Sequence, residues 1–152
     1  MNALTQYIYI ASTNKLPQGS FGSNPVSPDN PNIFKTELDF VHLDFENNYD
    51  AVQKKKISYS THFSLEYEVA AYANQIPFKY RLNGTQGEEK CLKIVHSYLE
   101  EAIQSSGLLE YFTSLSGQVN KEISKKRSIR WPSIQSPYDL VLEDREFWTI
   151  TL

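Results

Sequence analysis

The segment from Thr85 to Gly107 constrains this chain more than any other. Thr85 and Glu88 stand at capping-box spacing, in which each side chain satisfies a backbone amide that the first helical turn leaves unpaired. Cys91, Leu92, Val95, Tyr98, Leu99, Ala102 and Ile103 then recur at three- and four-residue intervals. They make one broad apolar face, and Gly107 supplies the residue best suited to a left-handed stop. The spacing predicts an amphipathic helix over about 86–106. A helix with so wide an apolar face must be covered by a second layer.

The rest of the chain supplies that layer as strands. Thr5–Ser12 is aromatic and β-branched on both faces, the pattern of a well-covered strand. Ile33–Glu46 alternates as a long strand whose buried parity switches near Phe40 and Val41, which calls for a bulge or strong twist. Phe78, Tyr80 and Leu82 alternate with Lys79 and Arg81 as a half-buried strand, and Phe147–Leu152 reads as a paired strand. Two shorter helices are expected, one over Leu65–Ile76 before Pro77, the other over Leu108–Leu115. A helical turn is expected at Ser136-Pro137. Strands and helices do not alternate regularly, so the expected class is α+β: a mixed or mostly antiparallel sheet packed against one long helix plus shorter ones. With 152 residues, the chain reads as one domain over 1–152. Residues 16–32 hold Pro17, Pro25, Pro28 and Pro31 together with Gly19 and Gly22, and so form a long loop.

Charge and cysteine content remove several functions. A net charge of -3 provides no overall pull toward nucleic acid or an acidic membrane. Cys91 is the sole cysteine, so an internal disulfide is excluded and a reducing, cytoplasmic setting is expected. No apolar run reaches the ~20 residues of a membrane helix, and the start, Met1 to Tyr7, lacks the charged and apolar regions of a secretion signal. The chain is rich in Lys, Asn, Ile, Tyr and Phe and poor in Gly, Ala and Arg, as AT-rich coding in a bacterium or phage would produce.

Catalytic signals are sparse. Gly19-Ser20-Phe21-Gly22-Ser23 runs into Asn24-Pro25 rather than into a helix, so it is neither a phosphate loop nor a dinucleotide fingerprint. His42, Asp44 and Glu46 share a strand face about 7 Å apart from neighbour to neighbour, too far to converge on one metal from a straight strand. No metal site and no cofactor is assigned. His62 and Glu66 are the candidates for acid–base work, but no nucleophile motif accompanies them. The basic stretch Lys121–Trp131, with Lys125, Lys126, Arg127 and Arg130 closed by Trp131, would suit a phosphate backbone with one stacked base.

Ten Tyr and two Trp exceed what a small core needs, and such residues anchor interfaces. The leading expectation is therefore a non-enzymatic protein-binding module. It would act by covering a partner, as a toxin-immunity or defence-modulating factor does. The expected surface is Phe21, at the tip of its loop, with Glu37, Asp39, Asp44 and Glu46. A small-ligand domain or enzyme with the Gly-rich loop as lid is the alternative, and nucleic-acid binding through Lys121–Trp131 a further one.

Overall fold

A computed structural model describes residues 5–22, 41–50, 55–56, 58–73 and 76–152. Its centre is α1 (Gln86–Ser106), which begins with the expected capping box: Glu88 N–H donates to Thr85 Oγ1 at 3.2 Å and Thr85 N–H donates to Glu88 Oε1 at 3.0 Å. Gly107 ends it at φ 75°, its amide donating to the Ile103 carbonyl. Leu92, Val95, Leu99 and Ile103 on its inner face are fully buried. Each such side chain contributes about 1.5–3 kcal/mol by leaving water.

The layer beneath is a seven-stranded sheet. In chain order its strands are β1 (Gln6–Ser12), β2 (Gly19–Phe21), β3 (Leu43–Asn47), β6 (Tyr67–Tyr72), β7 (Leu108–Leu115), β8 (Lys125–Arg130) and β9 (Glu146–Thr151). A separate two-residue ladder joins β4 (Tyr49–Asp50) to β5 (Lys55–Lys56). Across the sheet the order is β2-β3-β6-β1-β7-β9-β8, and every pairing is antiparallel except β8 with β9. The fold is α+β, with the long helix over one face.

Three local expectations are overturned. Leu65–Ile76 is not a helix: it contains β6, whose Val69 and Ala71 face α1 while Glu68 and Ala70 face away. Leu108–Leu115 is likewise a strand. Leu109 and Tyr111 join the helix-side core, whereas Phe112 joins the core of the opposite face and Glu110 is buried beside it. Both strands are covered on both sides, so their period of two is masked and chance three- and four-residue spacings read as helix. Phe78–Leu82 is a 3-10 turn over Lys79–Arg81 rather than a strand. The Ser136-Pro137 turn is present, as a 3-10 turn over Pro137–Leu140. The first described part of the 16–32 loop includes β2. The remainder of that loop, and the expected switch at Phe40, lie outside the described residues, as do Glu37 and Asp39.

The face opposite α1 has its own core. Tyr9, Ala70, Phe112 and Phe147 form it, roofed by Tyr59, Phe63, Val119 and Ile123 from two loops. Phe63 lies over it with ring centroids 6.4 Å from Tyr9, 6.2 Å from Phe112 and 5.7 Å from Phe147.

Candidate functional site

Two cross-strand rows organise the face away from α1. Residues in register on neighbouring strands stand side by side, about 5 Å apart at Cβ. One row reads Glu68, Ala11, Glu110, Thr149, Ser128; the next reads Glu46, Ala70, Tyr9, Phe112, Phe147, Lys126. The second row therefore passes from an acid through aromatic rings to a cation.

Glu68 and Glu110 fasten the 58–65 loop onto this face. Glu68 Oε1 accepts the Tyr59 amide at 2.8 Å. Glu110 Oε1 accepts the amides of Ser64 at 3.0 Å and Leu65 at 2.9 Å, while Oε2 accepts the Ser64 hydroxyl at 3.0 Å. Burial, with a smaller contribution from nearby Glu110, pushes the Glu68 carboxyl above its ordinary range. The same burial raises Tyr9 and Tyr59 to about 12, so both phenols stay protonated at neutral pH. The Tyr59 hydroxyl is held between the carbonyls of Glu46 and Asn47, at 3.0 and 2.9 Å.

His62 sits at the rim of this loop. Its Nε2 lies 2.6 Å from the Lys121 carbonyl. A carbonyl only accepts, so Nε2 carries the proton in this contact. The ring stands edge-on to Phe112 at 5.7 Å. Between the loop and the β8–β9 ladder lies a pocket of about 340 Å³, lined by His62, Ser64, Glu110, Phe147 and Thr149 and by Lys126, Arg127 and Ser128 of β8. A second hollow of about 360 Å³ adjoins it, sharing His62 and Lys126 and adding Ile123 and Lys125. Glu66, the other acid–base candidate, is exposed and does not line either hollow.

The basic stretch is the outer strand of the sheet. Lys125, Lys126, Arg127 and Arg130 are all exposed on β8. Their alternation splits them. Lys125 and Arg127 share the side of Glu146 and Trp148, and each meets an acid, Glu143 at 3.5 Å and Glu146 at 4.0 Å. Lys126 and Arg130 lie on the other side, in register with Phe147 and Thr151. Trp131 is buried at 6% exposure with its ring centroid 5.0 Å from that of His96, so it offers no platform for a base.

The acidic surface is also divided. Asp44 and Glu46 are exposed on β3, near the opposite end of the sheet. Phe21 is turned inward, edge-on to Phe45 at 5.6 Å and to Tyr98 at 5.5 Å. Gly22 lies against Ile94 of α1, in the layer away from the pocket, so this part of the Gly-rich segment does not cover it. Among the described residues, no three potential metal ligands converge, and no helix is long and apolar enough to cross a membrane.

The sequence pointed to His62 and to the β8 cations but missed Ser128, Thr149 and Phe147 as neighbours of Lys126. Only the parallel register of β8 on β9 brings them together, and nothing local in the sequence encodes that pairing. Searches of protein-family models, curated proteins and solved structures found no match to this chain.

Proposed function

We propose that this protein is a non-enzymatic protein-binding module that captures an extended, acidic segment of a partner along the outer edge of β8. The observation that carries the reading is that edge itself. Among the described residues β8 pairs with β9 alone, so one side of its backbone is unpaired within the sheet while both of its faces carry exposed cations. An added strand would gain main-chain hydrogen bonds, and its alternating acids would meet Lys126 and Arg130 on one face, Lys125 and Arg127 on the other. Cations at a sheet edge also deter uncharged strands, so the same residues would select among partners. Covering a partner's exposed strand in this way suits a neutralising factor, whether against a toxin or a defence protein.

Nucleic acid is a poorer fit, because the cations straddle the strand and the aromatic residues beside them, Phe147, Trp148 and Trp131, are all buried. Acid–base catalysis is also less well supported. Glu110 is occupied by three loop donors, and His62 Nε2 is committed to a carbonyl.

The test uses the full chain and two synthetic peptides, one alternating Glu with Val, the other Lys with Val. Fluorescence polarisation should show binding of the acidic peptide only, weakening as salt rises. The double variant Lys126→Glu/Arg130→Glu should abolish it while retaining the native circular dichroism spectrum. Equal binding of both peptides, or displacement of the acidic one by a short thymidine oligonucleotide at lower concentration, would remove this reading.

A further inference from the structure

We infer that the pocket between the His62–Ser64 loop and the β8–β9 ladder binds a small organic anion, a carboxylate or phosphate carried on a flat apolar body. The site lies on the face of β8 and β9 away from α1 and shares Lys126 with the peptide-capture reading, but Thr149 and the loop wall belong to the pocket alone. Its floor is a grid of four residues in two registered pairs, Lys126 with Phe147 and Ser128 with Thr149. The two hydroxyls are paired about 5 Å apart, and Lys126 stands one pleat along β8 on the same face, about 7 Å away but on a long flexible stem, so all three line one space that a single anionic group can enter.

The four cations of β8 are not equivalent. Lys125 and Arg127 are each matched by an acid of the chain, at 3.5 and 4.0 Å, whereas Lys126 has no ion-pair partner among the described residues. The Ser128 and Thr149 hydroxyls likewise have no hydrogen-bond partner among the described residues, although both line the pocket. Glu110, the acid next in the row to Thr149, is occupied by the Ser64 amide, the Ser64 hydroxyl and the Leu65 amide. Its role is to hold the loop wall in place. Phe147 is covered by Phe63 and touches the pocket only at its floor, so the apolar surface comes from the adjoining hollow, where Ile123 leaves room for a ligand body past His62 and Lys126. A volume of about 340 Å³ falls within the range used by small-molecule sites.

Titration of the full chain with benzoate, phenyl phosphate and inorganic phosphate, followed by calorimetry and amide NMR shifts, tests the inference. Benzoate or phenyl phosphate should bind and move the amides of Ser128 and Thr149. Lys126→Gln should weaken that binding about tenfold, the loss of one charge-assisted contact. Thr149→Val should weaken it several-fold without altering binding of the acidic peptide, which separates the pocket from the strand edge. Tighter binding of phenyl phosphate than of benzoate would assign the anion as phosphate, and the reverse order as carboxylate. Absence of binding by all three probes, or equal affinity in wild type and both variants, would overturn the site.

Discussion

Glu68 and Glu110 flank Ala11: this one small residue of the middle strand is in register with both, on opposite sides. Ala11 is fully buried, and the two carboxylates fasten opposite ends of the 58–65 loop through main-chain amides. A loop that contributes a wall of the pocket is thus hung from two buried acids rather than from a hydrophobic plug alone.

Glu110→Ala would leave the Ser64 and Leu65 amides without their acceptor. The expected cost is roughly 1–3 kcal/mol, the loss of charge-assisted hydrogen bonds to part-buried donors that water can partly replace. Urea denaturation of the variant checks this, and an unchanged midpoint would show that water replaces the carboxylate at no cost.

Stability should depend on pH through Glu68. Burial raises its carboxyl in the folded chain above the ordinary value of 4.5, so the folded state holds the proton more tightly than the unfolded state does. Stability from this group is therefore greatest below the ordinary value and falls as pH rises through the raised one. In Glu68→Gln that descending component should disappear. Chemical denaturation across mildly acidic pH measures it, and identical slopes in wild type and variant would remove Glu68 as the cause.

Gly22 sits at φ +89° where β2 meets α1, and a methyl group there would overlap Ile94 Cδ1 and lie 2.9 Å from Cγ1. Gly22→Ala should therefore cost about 1–3 kcal/mol, combining a strained backbone with overpacking. Ile94→Ala in the same chain should recover part of the loss, because it removes the colliding atoms. A double-mutant cycle with no coupling between the two would contradict the close approach.

The sequence disclosed elements that carry their own punctuation. The Thr85–Glu88 box and Gly107 bracket α1 to the residue, and the aromatic, β-branched run from Phe147 falls almost wholly within β9. It misread β6 and β7, because burial on both faces erases the alternation that marks a strand. Phe21, expected at a loop tip, lies instead beneath α1, and no local pattern marks that β2 folds back on β3. His62 and Lys126 were visible singly. Their meeting in one pocket depends on contacts between residues 64 positions apart, beyond the reach of any local pattern.

The order of the strands also sets an order of events. β8 precedes β9 along the chain yet lies outside it, and β9 is its one partner among the described residues. When β8 leaves the ribosome it has nothing to pair with; it must wait until β9 has been made and laid against β7. The cationic edge and the pocket floor therefore exist only once β9 is in place. A chain that has not yet made β9 cannot offer either, so any partner that depends on them recognises only chains in which β9 is already in place.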